Sequence, residues 1–230
     1  TSNLVLTGQK IVVQRVPQWT TVTVNSGGIL PANACAGTSG GVRVFRATGA
    51  VTINSGGSID VTGKGYRGGA GAAGTDFELG GFAGEGNRGV GARSQTNNAG
   101  GGGGGGVTNT AGDSCGEGGA GGGYGAAGTR DALNYGTSCA GTKPPASVGA
   151  TYGASTLSTI FLGSGGGGGG NDDNSTVAGG TGGDGGGVII ISASSVNVSG
   201  ALTANGALGS DTLSTGDNGA GGGGSGGSIL

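Results

Sequence analysis

Histidine and methionine are missing from this chain, and proline, cysteine and tryptophan are scarce: four, three and one in 230 residues. Each shortage excludes something. Without histidine there is no Ser-His-Asp triad, and three cysteines with no C-x-x-C pair leave no basis for a structural zinc site. Four prolines are too few for a collagen-like triple helix, whatever three-residue repeats occur. Apolar residues make up 33% and aromatics 4%, so a large side-chain core is not expected. Charged residues are only 10% and the net charge is -2, which offers no electrostatic footprint for nucleic acid or an anionic membrane. The longest apolar runs, at 188–191 and 160–162, are far too short to span a bilayer. The opening Thr1-Ser2-Asn3 lacks the basic and apolar regions of a secretory signal, and reads as a mature, processed chain or a piece of a longer one.

What the chain has instead is glycine, 66 residues of it. Glycine-rich, weakly charged sequence is ordinarily a flexible linker, because glycine loses the most entropy on ordering. Tracts such as 100–106 and 165–170 can be ordered only if backbone hydrogen bonds between closely packed extended segments replace side-chain burial.

Two textures alternate. The first is period-two alternation ending in turn residues, the mark of half-buried strands. Val22, Val24 and Ile29 recur as Val51, Ile53 and Ile59 in a matching frame. Gly40-Gly-Val-Arg-Val-Phe-Arg-Ala is echoed by Gly186-Gly-Val-Ile-Ile-Ile-Ser-Ala, and Gly226-Gly-Ser-Ile-Leu looks like the start of a third copy. Such units suggest coils of a β-solenoid or successive hairpins of a sandwich, each needing a neighbour to cover its apolar face.

The second texture is glycine at period three: Gly65, Gly68, Gly71 and Gly74 in one run, and Gly116, Gly119, Gly122, Gly125 and Gly128 in another. A polyproline-II-type helix has three residues per turn and no internal hydrogen bonds, so a glycine face lets neighbouring helices approach until main-chain groups pair. The expected fold is therefore all-β with little or no helix, its sandwich or solenoid strands combined with a bundle of polyglycine-II helices. Residues 1–62 form the N-terminal strand region, 63–187 the glycine-rich bundle with its loops, and 188–230 a C-terminal repeat packing on both. The polar stretches 107–115, 129–162, 171–178 and 210–218 read as loops at the bundle ends.

Chemistry-bearing residues are few. Cys115 and Cys139 sit in similar polar, glycine-flanked loops and form the candidate disulfide, worth roughly 3 kcal/mol if closed; the alternative is three free or buried thiols, Cys35 included. Asp172 and Asp173 with Asn174 supply oxygen atoms, and Gly179-Gly-Thr-Gly-Gly-Asp184 fits the start of a calcium-binding nonapeptide. That repeat is single and its aliphatic position is Gly186, so solvated carboxylates and Asx-turns are the favoured reading. No other cofactor is indicated, and no enzyme is expected. Asn174 and Asn197 lie in glycosylation sequons, Asn197 facing opposite Val196 and Val198. Trp19, Tyr66, Phe77, Phe82 and Tyr124 are expected to seal the bundle edges, whereas Tyr135, Tyr152 and Phe161 are candidates for a receptor-contacting loop.

The period-three runs separated by irregular loops resemble the polyglycine-II sandwich of bacteriophage tail-fibre tip adhesins, over about 63–187; small antifreeze proteins built from bundled polyproline-II helices share the texture. That resemblance implies loops at a bundle tip that bind a host receptor. Residues 186–230 resemble the glycine-rich repeats of large secreted prokaryotic surface proteins, which implies a solenoid-like structural part. Neither implies catalytic residues.

The leading expectation is an extracellular or cell-surface structural subunit of a pilus-like filament, with copies of itself as partner. The β-rich stretch carrying Leu4, Leu6, Ile11 and Val13 would complete a neighbour's sheet beside Ile229 and Leu230. The alternative is a phage or cell-surface adhesin for a receptor or glycan, and the weaker alternative an ice-binding protein. No nucleic-acid partner and no membrane span are expected.

Overall fold

The computed structural model describes residues 15–37, 39–73, 80–105, 116–130, 146–154, 156–171, 177–211 and 218–230. Among these there is no helix, and the protein is all-β. Ten short strands form in chain order: β1 (Gln18–Trp19), β2 (Val22–Val24), β3 (Ile29–Pro31), β4 (Val42–Ala47), β5 (Ala50–Ile53), β6 (Ser58–Asp60), β7 (Val188–Ser192), β8 (Ser195–Val198), β9 (Ala201–Thr203) and β10 (Ser228–Ile229).

The strands are dealt in turn into three sheets, ordered β1-β4-β7-β10, β2-β5-β8 and β3-β6-β9. Every strand pair is parallel. Successive hairpins are thereby excluded for these strands, because a hairpin pairs its arms antiparallel. The chain instead makes stacked coils of three strands, and β10 begins a fourth.

The sequence echoes become the register. Val22, Val51 and Val196 align, as do Val24, Ile53 and Val198. One expected match slips by a residue: Ile59 pairs with Leu30, whereas Ile29 pairs with Ser58 and is exposed. The reason is the turn. Both coils carry Asn-Ser-Gly-Gly with a left-handed glycine, Gly27 at φ 77° and Gly56 at φ 78°, so the turns superpose and the pairing runs on through them residue for residue, which sets Ile29 beside Ser58. Asn54 Nδ2 donates to Asn25 Oδ1 at 3.0 Å, stacking the turns directly.

Between the sheets lie Val24, Phe45, Ala47, Val51, Ile53, Ile59, Val61, Ile189 and Ala204, a small aliphatic core. Each fully buried Val or Ile contributes roughly 1.5–3 kcal/mol, so this core is where apolar burial is concentrated.

The coils share one further feature. At the corner leading from the third sheet back to the first, the chain leaves the stack and returns. The first excursion is short, closed by the Gly41 N–H donating to Asn33 O at 2.7 Å. The second comprises the whole stretch from Val61 to Gly187, and the Gly187 N–H donates to Val61 O at 2.8 Å. The third is closed by the Gly227 N–H donating to Ala204 O at 2.7 Å. The second and third excursions together build the glycine bundle.

Bundle segments bond to one another at intervals of three residues. Tyr66, Gly69 and Ala72 donate to the carbonyls of Gly163, Gly166 and Gly169 at 2.9, 2.8 and 2.9 Å. Segment 163–171 is the centre. It donates to segments 177–187, 116–123 and 80–86 and accepts from 65–73, 100–105 and 218–227. All of its residues are buried, and only Ser164 and Asn171 carry side chains. The close approach explains the residue type: a Cβ on Gly167 would run into the Gly103 carbonyl, and one on Gly168 into that of Ala70. Part of the stretch expected to be loop also joins: the Gly103 N–H donates to Ser147 O and the Gly128 N–H to Gly149 O.

Candidate functional site: open coil faces and the bundle junction

Among the described residues, two faces of the coil stack are uncovered, and at one end β8 and β9 have no strand beyond them. Val196 and Val198 continue the column above Val51 and Ile53, yet they are 43% and 46% exposed where the residues beneath are 0%. An uncovered edge of a parallel sheet presents a row of free N–H and C=O groups, a template for another strand. Beside them β10 covers only Val188 and Ile189 of β7. Ile229 and Leu230, expected to take part in assembly, lie here; the Leu230 N–H donates to Ile189 O and the Ile191 N–H to Leu230 O, both at 2.9 Å. Asn197 is exposed between the two valines, in register with Thr52.

At the opposite end β2 and β3 are edge strands, and β1 covers only Arg46 and Ala47 of β4. Trp19 packs on Phe45 with ring centroids 5.1 Å apart, closing this end of the core while staying partly exposed. Leu4, Leu6, Ile11 and Val13 lie outside the described residues, as do Phe77, Cys115, Tyr135, Cys139, Asp172, Asp173 and Asn174.

The aromatic residues gather where the bundle meets the coils. Tyr124 and Tyr152 pack edge to face at 5.1 Å, and Tyr152 and Phe161 at 5.4 Å. Their polar atoms are engaged inward. The Tyr152 hydroxyl donates to Leu162 O and accepts from Ser164 Oγ, and burial pushes its pKa above the usual tyrosine value. Tyr152 and Phe161 thus stand at the coil end of the bundle. Segments 65–73, 100–105, 163–171 and 204–211 all run toward the other end, where 80, 116, 177 and 218 begin.

On the bundle flank, Glu85 is buried and holds Arg67, whose Nε lies 3.0 Å from Glu85 Oε2 and whose main-chain N–H donates to the same oxygen. Asp184 Oδ1 accepts the Gly68 N–H at 2.7 Å, completing the backbone bonding where no carbonyl reaches. Cys35 is a buried free thiol, its pKa raised chiefly by that burial. Tyr66 is raised for the same reason. Phe82 receives Arg93, whose guanidinium carbon sits 4.7 Å from the ring centroid. Among the described residues no three His, Cys, Asp or Glu side chains come together to hold a metal. No helix among them is long and apolar enough to cross a membrane.

One open groove of about 740 Å³ runs along the bundle between 116–122 and 218–224. Its walls are mostly main chain, with Glu117, Arg130 and Asn218 as the charged or amide groups. Glycine runs do not announce which face is left open, so this groove has no signal in the sequence. The coil edges did have a signal, in the third, incomplete Gly-Gly repeat. No protein family, curated protein or solved structure matches the chain.

Proposed function

We propose that this protein is an extracellular structural subunit that assembles head to tail into a surface fibre by strand addition. The observation that carries the reading is the open β8 edge, where Val196 and Val198 stand half-exposed beside Val51 and Ile53, which are fully buried. Covering two such side chains recovers apolar burial, and pairing the edge satisfies a row of backbone groups. Opposite ends of the stack are different surfaces, so joining them does not close and builds a filament. The donor is the N-terminal segment carrying Leu4, Leu6, Ile11 and Val13.

In this reading the glycine-rich segments are polyglycine-II helices. Supporting it are the three-residue spacing of bonds and the six neighbours of segment 163–171. A bundle of this kind is a stiff spacer, suited to a load-bearing subunit and not to catalysis. Negative-stain microscopy of the purified chain tests the proposal: fibres are expected, and isolated particles at all concentrations overturn it. Deleting residues 1–16 is expected to leave monomers.

A second reading, an adhesin, is favoured by one observation. Four connections leave from the bundle end remote from the coils, as receptor-binding loops would. Exchanging 172–176 and 212–217 for glycine-serine linkers would then abolish binding to target cells without touching assembly; unchanged binding removes this alternative.

A further inference from the structure

A bundle segment carries three rows of N–H groups, one for each position of its three-residue repeat. In 218–227 two of these rows are used. Gly219, Gly222 and Ser225 donate to Gly170, Gly167 and Ser164, and Gly221, Gly224 and Gly227 donate to Ser210, Ala207 and Ala204. The third row, Ala220, Gly223 and Gly226, donates to nothing among the described residues. The adjacent segment has the matching shortfall in carbonyls. Glu117 and Ala120 accept from Gly170 and Gly167, and Gly121 accepts from Gly149, whereas the carbonyls of Gly119 and Gly122 accept nothing among the described residues.

Both unused rows border one feature. The Gly119 and Gly122 N–H groups donate to Ala220 and Gly223, both at 2.9 Å, so the two segments are direct neighbours, with 163–171 behind them and the groove of about 740 Å³ in front. One wall therefore offers a row of donors and the other a row of acceptors. Each row repeats every three residues, about 9 Å apart along an extended three-fold strand. A glycine also points here without an internal reason. On the face of 116–123 toward the groove, a Cβ on Gly121 would meet Thr129 O at 2.8 Å, but one on Gly118 finds only Ala220 O at 3.5 Å. Glycine costs ordering entropy, and nothing within the chain approaches Gly118 closely enough to require it.

We propose that this groove docks an extended, glycine-rich segment of a partner polypeptide, held by main-chain hydrogen bonds. Its carbonyls accept from Ala220 and Gly223, with Gly226 continuing the row, and its N–H groups donate to Gly119 and Gly122. The mode is that of strand addition, with main-chain bonds giving affinity and the approach distance giving specificity. Because the segment backs onto two walls, the positions facing either wall must be glycine, as in 163–171, and only the third, turned to solvent, carries a side chain. That requirement selects the source. None of the stretches outside the described residues contains two adjacent glycines, and the longest, 131–145, has Gly136 and Gly141 alone. The glycine-dense runs of this chain are themselves the bundle, so the occupant is a different polypeptide. The proposal does not rest on the fibre reading.

The test follows backbone amides by NMR, with hydrogen exchange of the free protein first. Ala220 and Gly223 are expected to exchange fast while Gly219 and Gly222 are protected; equal protection would mean that the groove is already filled and overturns the proposal. A synthetic Gly-Gly-Thr repeat peptide, added to millimolar concentration, should then shift the amides of 118–122 and 220–226 saturably and slow exchange at Ala220 and Gly223. A Gly-Val-Thr repeat peptide of equal length should do neither. Gly118→Leu, whose side chain enters the groove, should melt with the wild type and lose the response. No response to the glycine peptide, an equal response to the valine peptide, or an undiminished response in a folded Gly118→Leu overturns the site; should that variant not fold, the two peptides still decide.

Discussion

The phenolic oxygen of Tyr124 lies 2.6 Å from Ser228 Oγ, joining the glycine bundle to the last strand of the coil stack. The contact is part of a closed circuit. The Phe161 N–H donates to Tyr124 Oη at 3.1 Å, and Ser228 Oγ donates to Phe161 O at 3.3 Å, which leaves the tyrosine hydroxyl to donate to the serine. Tyr124 and Ser228 are both buried, so water cannot substitute for either partner.

Replacing Tyr124 with phenylalanine strands the Phe161 N–H and removes the link to β10. The expected loss is about 1–3 kcal/mol, the cost of unsatisfied buried polar groups. Denaturant melts of Tyr124→Phe against the wild type measure it. Val90→Thr, at an exposed position, is the control and should melt with the wild type.

Glycine positions in the bundle should divide by what lies above them. Gly167→Ala drives a methyl group into the Gly103 carbonyl, in a segment hemmed in on all sides. It should cost about 3 kcal/mol or prevent folding. At Gly118 the nearest atom to a new Cβ is Ala220 O at 3.5 Å, ordinary contact. Gly118→Ala should therefore be neutral, or stabilising by about 0.4–1 kcal/mol through a less flexible unfolded chain. Equal melting temperatures for the two variants would refute a core made of main chain.

Asp60 Oδ1 accepts from Thr203 Oγ1 at 2.7 Å and from the Thr62 N–H at 2.8 Å, tying β6 to β9. The Thr203 hydroxyl first, and the Thr62 amide second, hold its carboxyl below the usual aspartate value. A depressed folded-state pKa adds stability that is present above the unfolded value near 3.9 and is lost as pH falls through the folded one. Stability measured from pH 6 downward should thus decline below about pH 4, and Asp60→Asn should be less stable at pH 6 with a shallower decline.

Tyr152 should report on the alkaline side. Its burial, stronger than the opposing effect of the Ser164 bond, raises the pKa. For a group raised in the folded state the contribution is intact below the unfolded value, near 10, and lost as pH rises further. Spectroscopic titration of the phenolates should show one or more groups ionising late and together with unfolding. Complete ionisation in the folded protein near pH 10 would contradict the buried placement.

Much of the coil stack was legible in sequence because side chains carry its pattern. Val22 and Val51, or Val42 and Val188, repeat in frames that became the register. The mismatch at Ile29 arose because apolar spacing pairs it with Ile59, whereas the two turns are equal in length and carry the pairing on residue for residue to Ser58. Glycine told less. A period of three says that one face is packed, but Gly71 and Gly119 look alike in sequence, and their neighbours, Gly179 and Gly167, are set by the path of the chain. One cue was available. Uninterrupted runs such as 165–170 have no face reserved for side chains, which is the signature of a central position. In sequence, the aromatic residues suggest a receptor loop or an edge seal. Tyr152 and Phe161 came to lie beside Tyr124 at the coil junction, a proximity that depends on Ser164, Ser225 and Ser228, ordinary serines in sequence.

The uniformity of the central segment has a consequence for alignment. Its bonding partners recur every three residues, so six identical glycines could slide by three places along their neighbours and find equivalent partners. Nothing in the glycines prevents such a screw-like slippage. The two ends do. Ser164 is fastened through its N–H to Ser225 Oγ at 2.8 Å and through its hydroxyl to Tyr152. Asn171 Nδ2 donates to Ala73 O at 3.1 Å at the far end. These two side chains act as stops on an otherwise featureless rod, and they convert a degenerate set of alignments into a single one.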